Sequence, residues 1–411
     1  MTSEVRVIER SGKATHQETR AHNSRLVMGT IYDRGPVSRA EVARLTGLTR
    51  TTVSDVVSDL MRDGLAREIG RGPSTGGKAP ILLEVTDDAR HLVGLDLGEK
   101  VFRGAIVDLR GEIVSAIDVA VDDRDGDEAL ERVFGLVDRL LARTDRPILG
   151  IGIGTAGLID TTVGTVLEAV NLDWHGVTLG ALLRARTGLP VYVANDSQAT
   201  ALAEHVFGGP RTSNLVVVKV GEGIGAGLVL DGRLFQGDGF GAGEIGHTTV
   251  RPGGDACRCG RLGCLETVAS TRAILGQLAG HGISRLSDAV KALEAGDPVV
   301  REVVLAAGRE LGVAIAWLVG ALNVERVVLV GSAVELGEPW LGAVRETMRT
   351  SALGLLADQT TVEIGRLHAD GVVLGASALL MTRELGLSLA GQPPDGDKGD
   401  AEGLGSEAIP A

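Results

Sequence analysis

Cysteine and aromatic residues are scarce in this 411-residue chain, which has three cysteines, three tryptophans, two tyrosines and five phenylalanines. Three thiols cannot build a disulfide framework in a chain this long, and no basic-then-apolar leader follows Met1. A reducing cytoplasm is therefore the expected compartment. No run of eighteen apolar residues occurs, so no membrane span is expected. Lysine is rare too, six against thirty-five arginines, which fits a GC-rich genome and says nothing of function. Disorder as the main state is excluded, because 44% of residues are apolar. That is ample for packed cores, and the length suggests two or three domains.

A net charge of −13 argues against nucleic-acid binding only if it is evenly spread, since DNA needs a cationic surface. It is not evenly spread. Residues 1–80 carry 13 Lys and Arg against 9 Asp and Glu (13 − 9 = +4), whereas residues 81–411 carry 28 against 45 (28 − 45 = −17). A small basic head precedes a large acidic body. Residues 1–20 are polar without helical apolar spacing, which predicts a flexible arm, with order from about Asn23 and a head over 21–85.

Within the head, Leu26, Val27, Ile31 and Tyr32 recur at helical spacing until Arg34-Gly35-Pro36 stops the helix. A second helix opens at Ser38, with Glu41 completing a capping box, and turns Val42, Ala43 and Leu45 inward. Thr46-Gly47-Leu48 makes a tight turn, and Thr49 caps a third helix that buries Val53, Val56, Val57 and Leu60. Helix, glycine turn, helix is a DNA-reading unit. The third helix exposes Arg50, Thr51, Ser54 and Asp55 near its amino end, the end that enters the major groove in this geometry. Strands starting at Gly64 and spanning Ile81 to Val85 flank a basic loop, Gly70 to Pro80, and so form a wing. Ser38, Arg39, Thr49, Thr52, Arg71 and Lys78 complete the candidate DNA contacts. A small structural or dimerising domain is the alternative; the turn, caps and local basicity favour DNA.

From His91 strands alternate with helices and glycines cluster at strand ends. Strands are expected at His91–Asp96, Phe102–Asp108, Glu112–Val119, Ile148–Ile153, Val191–Val193, Leu215–Val220, Gly227–Leu230 and Val327–Val330, with helices at Glu128–Ala142 and 299–322. Three strands first, then glycine-rich turns repeated in two halves, suggest two α/β lobes facing a cleft. The Gly-, Pro- and acid-rich stretch 388–411 reads as a disordered tail.

All three cysteines fall in His247-x9-Cys257-x-Cys259-x4-Cys264. One imidazole and three thiolates make a closed tetrahedral set for Zn2+, structural because no position stays open. Three unpaired thiols in a glycine loop are the alternative, and they would be open to oxidation. Asn195-Asp196 follows the strand Val191–Val193, where ligands of open α/β sheets bind, and an amide beside a carboxylate suits vicinal hydroxyls. Alone, the same pair also reads as a helix cap. Glu244 and Glu266 flank the metal loop, which would hold them as a polar rim; either singly also reads as a solvated surface acid.

Gly243-Glu244-Ile245-Gly246-His247 followed by Cys257-x-Cys259-Gly260-x-x-Gly263-Cys264-Leu265-Glu266 closely resembles the signature of the ROK family of bacterial repressors and sugar kinases. Gly152 to Asp160 and Asn195-Asp196 fit it in order, and the resemblance runs from about Asn23 to Leu385. It implies an actin-like, RNase H-type two-lobed sugar-binding domain behind a winged helix-turn-helix. Lobe 1 would span 91–208 plus the returning helix 371–387, and lobe 2 would span 209–370. It also implies that Asn195, Asp196, Glu244, His247 and Glu266 contact a sugar, that His247 bridges sugar and zinc, and that the chain forms homodimers or homotetramers.

Family kinases carry two phosphate loops. Here these read Asp96-Leu97-Gly98-Glu99-Lys100 and Gly221-Glu222-Gly223-Ile224-Gly225-Ala226-Gly227, with a glutamate in each where the kinases have a small residue. A carboxylate beside triphosphate repels it by about 4 kcal/mol per charge pair at 4 Å and an effective dielectric near 20. Lys100 is placed to offset Glu99. Asp196 matches the kinase base, yet without ATP it would only accept a sugar hydrogen bond. The expected function is a sugar-responsive regulator that binds operator DNA and performs no catalysis; a sugar kinase with a DNA-binding appendage is the alternative.

Overall fold

The computed structural model describes residues 16–73, 79–122, 124–210 and 212–387. Lys78, most of the arm expected over 1–20 and the tail expected over 388–411 lie outside them. The first helix, α1 (His16–Arg34), starts seven residues before Asn23, so an arm reaching to residue 20 is a misreading. Its polar first turns show no apolar spacing; Arg20 instead pairs with Asp59 on the third helix at 2.5 Å.

Strand β1 (Val37–Ser38), α2 (Arg39–Thr46), α3 (Arg50–Arg62), β2 (Ala66–Arg71) and β3 (Ile81–Val85) complete the head. The three strands form one antiparallel sheet in the order β1-β3-β2. Ser38 Oγ accepts from Glu41 N at 3.2 Å, but the reciprocal half of the capping box is missing, because the Glu41 carboxylate takes Arg44 instead. Gly47 closes α2 in the left-handed region, φ 69°, and Thr49 caps α3. Val42, Val53, Val57 and Leu83 are fully buried. Leu45, expected inward, is 39% exposed, since a two-turn helix has only one inward stripe and Val42 and Ala43 fill it. Gly70 and Arg71 belong to β2 rather than to the loop.

Lobe 1 opens with β4 (His91–Leu97), β5 (Val101–Val107) and β6 (Ile113–Ala120), then α4 (Gly126–Leu141) and β7 (Ile148–Thr155). A small sheet of β8 (Leu158–Asp160), β9 (Thr165–Ala169) and β10 (Trp174–Val177) precedes α5 (Leu179–Thr187), β11 (Val191–Asn195) and α6 (Asp196–Val206). The main sheet runs β11-β7-β4-β5-β6. In lobe 2, β12 (Leu215–Val220), β13 (Ile224–Leu230) and β14 (Arg233–Phe235) lead through α7 (Glu266–Ala269), α8 (Thr271–Leu278), α9 (Leu286–Glu294) and α10 (Pro298–Leu322). Then come β15 (Arg326–Val330), α11 (Gly337–Ser351), α12 (Gly354–Gln359) and β16 (Thr361–Ile364), in a sheet ordered β14-β13-β12-β15-β16. Counting strands within each lobe, both sheets read 3-2-1-4-5, with the first three antiparallel and the last two added in parallel. The expected two-half repeat is this shared order.

Helix α10 is long and apolar enough to cross a membrane by length and composition. Its Val300, Val304, Leu311, Ile315 and Val319 are nevertheless fully buried in the lobe 2 core, so it reads as a core helix.

The last helix, α13 (Gly371–Glu384), returns to lobe 1 and lies flat on β4, β7 and α6. Glycine permits that approach: a Cβ on Gly152 would sit 2.0 Å from Ala376 O, and one on Gly375 1.8 Å from Ala199 O. Beyond it, Leu379, Leu380, Met381 and Leu387 share one buried cluster with Val27, Met28 and Ile31 of the head and with Ala194 and Leu202 of lobe 1. Arg110 of lobe 1 adds a hydrogen bond to Tyr32 O at 2.9 Å and lies 4.6 Å over the Tyr32 ring. Head, α13 and lobe 1 therefore pack as one body.

Candidate functional site

The loop between β14 and α7 folds back through short bridges, Thr249 to Cys264 and Ala256 to Leu262, and gathers four donors. The ligand atoms of His247, Cys257, Cys259 and Cys264 all lie within 4.8 Å of one another. His247 Nδ1 is 3.5 Å from Cys257 Sγ, and Cys259 Sγ is 3.7 Å from Cys264 Sγ. A tetrahedral zinc with ordinary bond lengths needs edges of about 3.6 Å for N···S and about 3.8 Å for S···S, so these two pairs already have the right spacing. Burial, then hydrogen bonding to Cys259 and Cys257, pushes the Cys264 thiol up to about 12. Holding all three as thiolates this close would take a cation among them, and the donor set fits a soft-ligand metal ion. The other imidazole nitrogen, Nε2, faces away from the sulfurs, 3.9 Å from Glu244 Oε2.

The cleft floor is the start of α6. Asn195 ends β11 and caps α6: its Oδ1 accepts from Ser197 N at 2.9 Å and Gln198 N at 3.2 Å, while Nδ2 donates to Gly157 O at 3.0 Å. The cap reading of Asn195 is thus correct as far as it goes, and one amide hydrogen remains. Glu244 stands in the turn before His247. Burial desolvates it, Asp196 and Glu266 repel its charge, and its carboxyl is pushed up to about 7. Glu266 opens α7 and accepts from Ile224 N at 3.2 Å, which ties the metal loop to the second glycine loop.

Lys219, absent from the sequence reading, lies at the centre. Its Nζ, on β12 of lobe 2, donates to Asp196 Oδ2 at 2.6 Å across the cleft. Burial works to raise the Asp196 carboxyl, but the Lys219 charge overrides it and holds the group below the ordinary carboxylate range. Asp96, at the end of β4, is pushed up to about 6 by burial, with Lys219 opposing, and its Oδ1 has no hydrogen-bond partner. The available signal was a lone lysine inside the apolar strand Leu215–Val220.

The two glutamates of the glycine loops are paired across the lobes. Glu99 of lobe 1 accepts from Arg258 of the metal loop and from Arg272 of α8, both at 2.9 Å. Glu222 of lobe 2 takes Lys100 of lobe 1 at 2.5 Å and Arg272 at 3.5 Å. Lys100, expected to offset Glu99, thus serves Glu222 instead.

On the head, Arg50, Thr51 and Asp55 are exposed on α3 with Ser54 half-buried beside them, and Arg71 is exposed at the end of β2. Thr49 and Thr52 bond each other at 2.9 Å within the cap, Ser38 caps α2, and Arg39 is held by Glu68 at 2.8 Å. These four are engaged internally, whereas Arg50 has no hydrogen bond or ion pair with the other described residues.

The family model described as "ROK family" matches residues 92–383. A xylose repressor of Caldicellulosiruptor bescii is 33% identical over 381 residues, covering 88% of this chain and 95% of that protein. A glucokinase of Halalkalibacterium halodurans is also 33% identical, but over 317 residues, covering 72% of this chain and 96% of the enzyme. The extra coverage of the repressor, 381 − 317 = 64 aligned residues, is close to the length of the head. A solved ROK family transcriptional regulator, a homolog of the E. coli MLC protein, superposes with a TM-score of 0.80 at 28% identity, covering 90% of this chain and 98% of its own.

Proposed function

The chain belongs to the ROK family, and from that premise we propose that it is a sugar-responsive, DNA-binding transcriptional repressor whose cleft senses a monosaccharide without phosphorylating it. The observation that carries this reading is the shared core: the strand and helix bearing Asn195-Asp196 pack into the same buried cluster as the helix that supports α3. A ligand held at the start of α6 acts on the head through α6 and α13.

The head works as a winged helix-turn-helix in this reading. Arg50, Thr51 and Ser54 enter the major groove from the amino end of α3, and Arg71 reaches backbone from the wing. A homodimer or homotetramer supplies the two heads that a two-fold operator needs. The −17 body repels DNA except where a head presents itself.

His247, Cys257, Cys259 and Cys264 would hold Zn2+, a structural ion because four protein ligands close its shell. With Nδ1 toward the ion, His247 keeps Nε2–H as a donor toward the cleft. Glu244 and Glu266 accept from sugar hydroxyls, and the remaining Asn195 amide hydrogen donates. The actin-like lobes close on the sugar, and a sugar that favours one arrangement shifts the heads' spacing and releases the operator. The xylose repressor's name makes D-xylose the first effector to try.

Kinase activity is the second reading, favoured by the glucokinase likeness. Against it stands Lys219: a general base works best with a pKa near the operating pH, and the ammonium holds Asp196 well below that. A thermal-shift screen of D-xylose, D-glucose and N-acetylglucosamine, paired with a coupled ATP-consumption assay, tests both readings. A bound sugar at about 100 Kd adds about 2.7 kcal/mol of stability. Turnover above roughly 1 s⁻¹ would overturn the sensor reading.

A further inference from the structure

Each of the two glycine loops carries one glutamate, Glu99 and Glu222. Their glutamates already occupy the cations of the cleft rim: Glu99 takes Arg258 and Arg272, and Glu222 takes Arg272 and Lys100. Arg272 is also 4.0 Å from Glu266, so three carboxylates face three cations and the cluster is neutral. Repulsion of phosphate by bare carboxylates is therefore not what the glutamates contribute. Three of the four links made by Glu99 and Glu222 join a lobe 1 residue to a lobe 2 residue.

We propose that Glu99, Lys100, Glu222, Arg258 and Arg272 form an interlobe electrostatic clasp that holds the cleft closed where a nucleotide's phosphates would otherwise bridge the loops. Glu99, Glu222 and Arg272 are each less than a third exposed, so their pairs are shielded from the full screening of surface ion pairs. Lys100 is 73% exposed and contributes least. The clasp biases the open-closed equilibrium that the sugar completes; its effect on operator release rests on the sensor reading above, while the clasp itself does not.

Salt reports on it directly. The Debye length falls from about 10 Å at 0.1 M to about 3 Å at 1 M, and a neutral sugar brings no charge of its own. The test uses the full chain without DNA or sugar, spin-labelled through non-natural residues at Val114 on β6 and Leu355 on α12, both exposed. Pulsed electron resonance then measures the interlobe distance in 0.05 M and 1 M KCl. The clasp predicts a longer distance population in 1 M KCl, with the open-to-closed ratio rising about tenfold. The double variant Glu99→Gln/Glu222→Gln should show that population already at low salt and no longer respond to KCl. Arg258→Gln, which removes one pair only, should fall between. A wild-type distribution indifferent to KCl overturns the clasp, whatever the folding of the variants. Operator titration with D-xylose, D-glucose and N-acetylglucosamine separates the two ideas. Salt-sensitive distances without sugar-driven release sink the sensor reading alone, and release from a protein with salt-indifferent lobes sinks the clasp alone.

Discussion

Replacing Lys219 with methionine removes one charge and almost no volume. In the folded protein the ammonium lies 2.6 Å from Asp196, and the Lys219 and Asp196 side chains are 25% and 16% exposed. Lys219→Met therefore leaves Asp196 and Asp96 as two desolvated carboxylates without the cation that they share. Breaking a buried pair by deleting one partner costs about 3–5 kcal/mol. The family-matched region spans 383 − 92 + 1 = 292 residues. At about 2.1 cal/mol/K per residue its unfolding entropy is about 0.6 kcal/mol/K, so the expected fall in Tm is about 5–8 °C. Adding Asp196→Asn removes the stranded charge and should recover a large part of that loss, giving a coupling well above the roughly 0.5 kcal/mol scatter of independent sites. Differential scanning calorimetry of wild type, both singles and the double at pH 7.5 provides the cycle. A Lys219→Met protein melting within 1 °C of wild type, or strictly additive variants, would refute the claim that Lys219 neutralises the cleft floor.

The same floor has a pH signature. Asp96 holds its proton more tightly folded, at about 6, than at its ordinary value near 3.8, so its contribution is complete below about pH 3.8 and is lost as pH rises through about 6. That difference is worth roughly 3 kcal/mol, and Asp96→Asn should raise Tm at pH 7.5 while flattening its dependence between pH 4 and 6; an unchanged slope on calorimetry contradicts this. Arg50→Ala should weaken operator binding by about 1–3 kcal/mol if Arg50 reads a guanine, and undiminished affinity in a gel-shift titration removes it from the reading set. Stripping the metal with a chelator should disorder 243–266 and abolish the sugar response; full sugar binding by protein shown metal-free by elemental analysis breaks that link.

Local patterns were legible in the sequence. The five strands of the main lobe 1 sheet, three of the five in lobe 2, the caps at Ser38 and Thr49 and the cluster His247, Cys257, Cys259, Cys264 follow from spacing and side-chain chemistry, whereas the short strands β8, β9, β10, β14 and β16 do not. Several misreadings trace to partners distant in sequence. Arg20, in the polar start of α1, meets Asp59, thirty-nine residues away. Arg39, a candidate DNA contact, pairs with Glu68 in the free chain, and Lys100 pairs across the lobes with Glu222 rather than with its neighbour Glu99. Lys219 was visible as a charge in an apolar strand, yet only the fold brings it to Asp196. The basic head was found by dividing the chain's net charge, and its union with lobe 1 through α13 needed the three-dimensional core.

The most direct test of the account is an operator titration with and without sugar. With operator recovered by selection from a random duplex pool, fluorescence anisotropy of the full chain at fixed salt, without ATP, is measured with D-xylose, D-glucose or N-acetylglucosamine present. The account predicts that one of these lowers operator affinity at least about tenfold, a coupling of about 1.4 kcal/mol. Operator affinity unmoved by every sugar, in protein whose stability those sugars do raise, would contradict it.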